Sequence, residues 1–400
     1  MRVKYYLSKI TGFFFTEEAK SVYFLVIASL VPIIRPQLIS NTIIFDYLNG
    51  LFILFFLIHL LIIKLRLQIR LFIPMVIIFI GSILSMFNAR VPLINSETLL
   101  VDLYLFLFFI VLYNVIETKK DLRRAILPWI GFAAFQGFLM TSNLINNFDI
   151  RHTGTFLNPN MAGNYLGISF FLLFQPFIKV GRVPKAIYSV LIIGGILASK
   201  SLSTSLSFLM GSLTVIVLYW MRIPLAKKVK LGLAVLVFLA VGVALFPKFM
   251  EIPNFYARLS KTVYGRSNLW KTGINIAIKN PLGMTIGPGA FETIGPIVKG
   301  PITKRRELHS DWLSFLVERG MISFFGLCLL FGTIARILFQ SLKNAGSDRE
   351  FLWSSGLLGM FVFIIVDSFS HEIFHYRHVW FVLAIMASQH KLQRRKAATE

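Results

Sequence analysis

The sequence TIIFDYLNGLFILFFLIHLLII occupies residues 42–63 and contains one carboxylate, Asp46, and no Lys or Arg. An apolar run of about twenty residues is long enough to cross the hydrocarbon layer of a membrane as an α-helix. Strands of a membrane β-barrel would instead be about ten residues long and alternate in polarity. This stretch therefore predicts a transmembrane helix, and the pattern excludes a β-barrel.

Comparable runs recur along the whole chain, which has 400 residues, is 56% hydrophobic and 15% charged, and contains 40 Phe. So little charge does not suit a soluble surface. We expect an all-α, polytopic transmembrane helix bundle, with residues 1–400 forming one membrane domain. Polar breaks divide the chain into about twelve candidate spans, near residues 21–34, 42–63, 71–87, 99–116, 124–143, 161–178, 185–198, 203–221, 231–247, 312–335, 351–369 and 376–389.

The distribution of positive charge predicts the orientation of the chain. There are 41 Lys and Arg against 18 Asp and Glu, a net charge of +23. Twenty-five of these cations lie at the termini and in alternate loops, whereas the short loops of the other set hold five: Arg35, Arg90, Arg151, Lys200 and Arg377. By the positive-inside rule, both termini are predicted to be cytoplasmic. Membrane insertion, rather than binding to nucleic acid, accounts for most of the charge.

Ten further cations lie in a long loop at residues 248–311, between the ninth and tenth predicted spans and on the external side. Long loops are exempt from the positive-inside rule, so this is either a solvated basic loop or an external site for an anionic ligand. Apolar residues at helical spacing after Ser267 predict an amphipathic helix that ends at Asn280 and Pro281. With Ser267 as its cap, Arg266 would lie just ahead of the helix N-terminus, where the helix dipole favours an anion.

At the end of this loop, His309 lies at the mouth of the tenth span beside Glu307 and Asp311. An imidazole in this position can act as a general base near neutral pH, although an isolated interfacial histidine is more often only a tolerated polar residue. The external loops at 151–160 and 199–201 also combine a cation with hydroxyl or amide side chains. These groups are predicted to converge on one external pocket.

Several motifs follow in order along the chain: Arg-x-x-Gly-Thr-Phe-x-Asn-Pro-Asn at 151–160, Gly-Arg-x-x-Leu-Trp at 265–270, Pro-x-Gly at 281–283, His-Ser-Asp-Trp-Leu at 309–313 and Glu-Arg-Gly at 318–320. Together with the predicted spans and the large external loop, they resemble the O-antigen ligase and O-antigen polymerase family of bacterial membrane glycosyltransferases. The resemblance covers residues 20–390.

The resemblance implies a transferase of the bacterial inner membrane whose active site faces the periplasm and whose donor is a glycan carried on undecaprenyl diphosphate. In lipopolysaccharide biosynthesis, a ligase passes this glycan to lipid A–core oligosaccharide, and a polymerase passes it to another lipid-linked repeat unit. The family's loop arginine and loop histidine correspond to Arg266 and His309. An arginine is often found where this chain has Lys200, which replaces a guanidinium fork by a point charge.

We therefore expect a direct, inverting displacement without a metal or a cofactor, because cations can stabilise a departing diphosphate. His309 is predicted to remove the acceptor's proton. Four cations are predicted to bind the donor diphosphate: Arg151, Lys200, Arg258 and Arg266. Three residues are predicted to line the acceptor side: His371, His375 and Arg377. The remaining partners are expected to be membrane lipids around the bundle.

Other classes of function fit parts of the sequence. Residues 371–375 read HEIFH, a zinc-hydrolase pattern that would place two imidazoles on one helical face, with Asp367 or Glu307 as a third ligand of an intramembrane metalloprotease. A transporter or flippase would place ionisable residues near mid-membrane and often repeat its halves. Here Asp46, Asp102 and Asp367 are predicted to lie toward span ends. A purely structural membrane protein would leave the external cations without a purpose.

Overall fold

A computed structural model gives the fold of the chain. It describes residues 16–33, 44–63, 70–87, 91–148, 150–176, 181–224, 255–284, 286–291 and 308–397, with the single positions 68, 89 and 228. Within these ranges the structure has thirteen α-helices and no β-strand. The helices are α1 Glu17–Leu30, α2 Ile44–Ile63, α3 Phe72–Ser85, α4 Pro92–Val115, α5 Lys119–Asn146, α6 Pro159–Phe171, α7 Arg182–Ser199, α8 Leu202–Arg222, α9 Phe255–Lys279, α10 Asp311–Glu318, α11 Gly320–Lys343, α12 Asp348–Ser368 and α13 Arg377–Ala397.

Seven of the described helices are long and apolar enough to cross a membrane, judged by length and composition: α2, α4, α5, α7, α8, α11 and α12. Helix α3 is also apolar but shorter. The predicted class, an all-α membrane protein with several apolar helices, is therefore confirmed. The count of twelve spans stays a prediction, and the ninth span, at 231–247, lies outside the described residues.

Two helices that carry sequence motifs begin with a side-chain cap. At the start of α6, Asn158 Oδ1 accepts the backbone N–H of Met161 at 2.8 Å. Pro159 follows in the first turn, where its missing N–H removes no helical hydrogen bond. At the start of α10, Ser310 Oγ accepts the backbone N–H of Leu313 at 3.4 Å. Two of the motifs therefore determine where helices begin.

Glycines allow α8 and α12 to approach closely. A Cβ on Gly211 would lie 2.5 Å from the carbonyl oxygen of Gly359, and a Cβ on Gly359 would lie 2.6 Å from that of Gly211. Helices in a membrane associate through such small residues, because lipid tails leave little hydrophobic drive for association. The contact holds the two helices side by side, with the end of α12 next to the beginning of α8.

The charged segments separate to opposite ends of the bundle. At one end, cations of the predicted cytoplasmic segments pair with carboxylates: Lys20 with Asp121, Lys119 with Glu350, and Arg222 with Asp348. At the other end, hydrogen bonds join four predicted external segments: 151–160, 199–203, 308–311 and 369–376. The assignment of the first end to the cytoplasm stays a prediction of the positive-inside rule.

The helix predicted within the long loop at 248–311 is longer than predicted. Helix α9 spans Phe255–Lys279, so Arg266 lies near its middle, and the predicted place just ahead of a helix N-terminus is wrong. Ser267 lies inside the helix and is not its cap. A serine is tolerated there, since it costs only about half a kcal/mol relative to alanine. The end of the helix before Asn280 and Pro281 is as predicted.

The predicted tenth span, at 312–335, consists of two helices, α10 and α11. The chain turns between them at Gly320, whose φ is +76°. A Cβ on Gly320 would lie 2.3 Å from the carbonyl carbon of Leu282, and the N–H of Met321 donates to the carbonyl oxygen of Pro281 at 2.9 Å. Glycine suits both the positive φ and the close approach. The continuous apolar pattern concealed this break.

Candidate functional site

The turn between α12 and α13, at residues 369–376, is held by the carboxylate of Asp311. Asp311 Oδ2 accepts the backbone N–H of Ile373 at 3.0 Å, and Asp311 Oδ1 accepts that of Phe374 at 3.1 Å. Asp311 is buried, and a buried carboxylate of this kind requires hydrogen-bond donors. The aspartate of the His-Ser-Asp motif therefore positions the turn that carries His371.

His309 is fixed between this turn and helix α9. Its φ of +53° is in the left-handed region, which is uncommon for a residue with a side chain. Its backbone N–H donates to Glu372 Oε1 at 3.1 Å. The preceding carbonyl oxygen, of Leu308, accepts the indole N–H of Trp270 at 3.1 Å. A strained backbone of this kind persists only where its surroundings hold it in place, and here two separate segments do so.

The surroundings of His309 favour its neutral form. The pKa of His309 is lowered to about 4. The largest cause is burial, followed by the charge of Arg266 and the interaction with His371. Burial also lowers the pKa of Arg266, and the negative charge of Asp367 acts in the opposite direction. The guanidinium still stays charged at neutral pH. The structure therefore brings Arg266 and His309 into one electrostatic cluster with Asp367 and His371.

A chain of hydrogen bonds leads from the interior of the bundle to His371. Asp367 Oδ1 is 2.9 Å from His371 Nδ1. Asp367 Oδ2 accepts from Asn164 Nδ2 at 2.6 Å, and Asn164 Oδ1 is 2.8 Å from His378 Nε2. At the outer end of the chain, the hydroxyl oxygen of Ser203 lies 3.1 Å from Nε2 and 3.2 Å from Nδ1 of His371. Asp367, Asn164 and His378 are buried.

Two more of the predicted diphosphate ligands lie at the junction of α7 and α8. Arg151 Nε donates to the carbonyl oxygen of Ser199 at 3.0 Å, and its Nη2 donates to Asn160 Oδ1 at 2.5 Å. Lys200 has a φ of +47°, and its Nζ donates to the carbonyl oxygen of Phe148 and lies 4.5 Å from the centre of that ring. Arg151 is thus held against the end of α7, and the ammonium group of Lys200 is held against Phe148.

This junction is connected to the cluster around His371. The hydroxyl oxygens of Ser201 and Ser203 are 3.4 Å apart, and Ser203 reaches His371 as described above. The fourth predicted ligand, Arg258, lies in α9, and its side chain is outside the described part of the structure.

His375 belongs to a buried ionic cluster rather than to the group around His309. Its Nε2 is 3.2 Å from Asp102 Oδ1 and 3.2 Å from Arg319 Nη2, and Arg319 Nη1 also contacts Asp102. Asp102 and Arg319 are 0% and 1% exposed. The prediction that Asp102 lies toward a span end is wrong, because α4 begins at Pro92 and places Asp102 ten residues inside the helix.

Arg377 also binds a different partner. Its Nε and Nη2 are each 2.5 Å from an oxygen of Asp46.

Residues 371–376 form a turn rather than a helix, so His371 and His375 do not share a helical face and contact different groups. Among the residues that the structure describes, no group of three or more His, Cys, Asp or Glu is placed to hold a metal ion. The helical geometry that the zinc-hydrolase pattern requires is not present.

Glu318 fastens the glycine-rich segment that follows α9 to α10. Its Oε2 accepts the backbone N–H of Gly289 at 2.9 Å and the hydroxyl of Ser314 at 2.9 Å, and its Oε1 accepts the N–H of Phe291 at 3.0 Å. The side chain is 4% exposed. Glu318 thus positions the loop segment that follows α9, a role that the sequence alone did not indicate.

Residues 187–328 match the family described as O-antigen ligase. The matched region runs from α7 into α11 and includes Lys200, Arg266 and His309. No curated protein matches the chain. The resemblance predicted from the motifs is confirmed by this match. The helical membrane fold and the family match together support a membrane enzyme of the O-antigen ligase or polymerase type.

Proposed function

We propose that this protein is a metal-independent, inverting glycosyltransferase of the O-antigen ligase type, which transfers a glycan from undecaprenyl diphosphate to a sugar hydroxyl of lipid A–core. The observation that carries the proposal is the placement of His309, which is fixed through its backbone and kept neutral beside the cation Arg266. A neutral imidazole can accept a proton, and a guanidinium can bind a diphosphate oxygen. These are the two groups that the transfer requires.

On the donor side, Arg266 binds the diphosphate and stabilises the charge that develops on it. Arg266 is half-buried, and a guanidinium in partly water-excluded surroundings interacts more strongly with an anion than it would in water. Arg151 and Lys200 supply further positive charge from the end of α7, and Arg258 from α9. Together these cations make undecaprenyl diphosphate a better leaving group.

On the acceptor side, His309 acts as the general base. Its imidazole takes the proton of the acceptor hydroxyl while the hydroxyl oxygen forms a bond to the anomeric carbon of the donor sugar. The bond between the anomeric carbon and the diphosphate oxygen breaks, and its electron pair remains on undecaprenyl diphosphate. Attack opposite to the leaving group inverts the configuration of the anomeric carbon.

Donor binding strengthens the base. The charge of Arg266 is one cause of the lowered pKa of His309. A diphosphate bound to Arg266 brings negative charge that offsets this cation, so the pKa of His309 rises when the donor is present. The imidazole is therefore a weak base in the empty site and a stronger one in the loaded site.

The proposed site faces the periplasm, with both termini in the cytoplasm of a bacterial cell and the bundle in the inner membrane. Deletion of the encoding gene, followed by analysis of the surface glycans, tests the proposal. We expect full-length glycan to accumulate on its lipid carrier while lipid A–core remains unmodified. Single repeat units on otherwise normal anchors would instead indicate a polymerase that joins lipid-linked repeats. Unchanged surface glycans would contradict both.

A further inference from the structure

The directions of the hydrogen bonds around Asp367 follow from the chemistry of the groups. An ionised carboxylate only accepts hydrogen bonds. Asn164 must therefore turn its NH2 group toward Asp367 Oδ2, which leaves its carbonyl oxygen to accept from His378 Nε2. His371, in turn, must present its Nδ1 hydrogen to Asp367 Oδ1. Because the Asp367 carboxylate can only accept, it determines which atoms of Asn164 and His371 are the donors.

One ring nitrogen of His371 is left as an acceptor. In a neutral imidazole that carries its hydrogen on Nδ1, Nε2 has a lone pair and accepts. The hydroxyl oxygen of Ser203 lies 3.1 Å from Nε2 and 3.2 Å from Nδ1, so a hydroxyl group approaches this ring closely. Buried carboxylates fix the orientation and tautomer of histidines in many active sites in this way.

We infer that His371 accepts, through Nε2, a hydrogen bond from an acceptor hydroxyl that neighbours the attacking one, in exchange for its contact with the Ser203 hydroxyl, and that Asp367 and Asn164 are positioning residues that hold the ring. This inference rests on the proposed function and assigns the acceptor subsite within it. Two further charged or titratable groups interact electrostatically with this pair: His309 with His371, and Arg266 with Asp367. The acceptor sugar would then contact two imidazoles: His371 accepts a hydrogen bond from one hydroxyl, and His309 takes the proton of the attacking hydroxyl.

The other two residues that were predicted to line the acceptor side, His375 and Arg377, contact carboxylates instead. His375 contacts Asp102, and Arg377 contacts Asp46 through two nitrogens. His371 differs because its carboxylate partner contacts only Nδ1, which leaves Nε2 as an acceptor. The assignment of the acceptor subsite therefore falls on His371.

Direct binding measurements on the purified full-length protein test this inference separately from transfer. Lipid A–core oligosaccharide is the acceptor probe, and undecaprenyl diphosphate is the donor probe. We expect His371→Ala and Asp367→Asn each to raise the Kd for the acceptor about tenfold, as the loss of one oriented hydrogen bond does. The Kd for the donor should stay within about twofold of wild type.

His152→Gln is the matched control. His152 is a buried histidine at the same end of the bundle, and its Nε2 contacts the backbone carbonyl of Asn147 at 2.9 Å. This variant should leave the Kd for the acceptor unchanged. Acceptor binding that is equal in wild type and in His371→Ala would overturn the inference, as would wild-type protein that does not bind the acceptor. Normal binding of both probes without transfer would instead contradict the proposed function.

Discussion

Replacing Arg266 by Gln should move the acidic limb of the pH–rate profile to higher pH. The reactive form of His309 is the neutral one, so the rate is lost as the pH falls through the pKa of this residue. That pKa is about 4, against an ordinary value of 6.5. At pH 5 about nine-tenths of His309 is then neutral, whereas about 3% of an ordinary histidine would be. Removing the charge of Arg266 raises the pKa of His309 toward 6.5. Burial of the imidazole still keeps the pKa below that value.

The assay is kcat/KM for the donor between pH 3.5 and 8, since this ratio reports the ionisation of the enzyme before the donor binds. Arg266→Lys is the matched control, because it keeps the positive charge and should keep the limb near pH 4. Tryptophan fluorescence at each pH shows that the protein remains folded. A wild-type limb near pH 6.5, or a limb that is the same in Arg266→Gln and Arg266→Lys, would refute the proposed effect of Arg266 on His309.

Three further substitutions test other parts of the account. Arg319→Met leaves the buried Asp102 carboxylate with His375 as its remaining partner and should cost about 3–5 kcal/mol in unfolding by sodium dodecyl sulfate. The double variant Asp102→Leu with Arg319→Met should recover most of this loss, and equal losses would show that the pair does not interact as described. Gly320→Ala should abolish folded protein on size-exclusion chromatography, because the added Cβ meets backbone at 2.3 Å and the φ is +76°. Lys200→Met should raise the KM for the donor several-fold with an unchanged KM for the acceptor, while Lys200→Arg should keep transfer in a gene-complementation assay.

The sequence predicted the class of fold because a membrane imposes simple requirements on it. Apolar runs such as residues 42–63 have few other uses, and the cation distribution predicted which loops share an end of the bundle. The exact helix bounds could not be predicted in the same way. The break at Gly320 depends on the approach of Pro281, almost forty residues earlier in the chain, and no local pattern records such a contact.

The candidate site was predicted in part. Arg266 and His309 were proposed from charge, position and resemblance, and the structure places them in one cluster. The spacing of Asp367 and His371, four residues apart, was the available signal for their pairing, but it was considered only as part of a metal site. Asn164 carried no signal, since it is one polar residue within an apolar helix and its role depends on α12.

The sequence alone also could not predict the buried cluster of Asp102, Arg319 and His375. Each residue taken alone is an interfacial polar group or a tolerated charge. Their combination is set by the packing of α4 against the break between α10 and α11, and by the turn that Asp311 holds. Ionisable residues inside a membrane bundle usually occur in such combinations, because an unpaired charge there is costly.

The most direct test of the central claim is the comparison of wild type and His309→Ala in a purified system with undecaprenyl diphosphate-linked glycan and lipid A–core. We expect His309→Ala to bind the donor with an affinity close to that of wild type but to transfer the glycan about 10²- to 10⁴-fold more slowly, since this is the usual contribution of a general base. Transfer at the wild-type rate by His309→Ala, with the same donor affinity, would contradict the account.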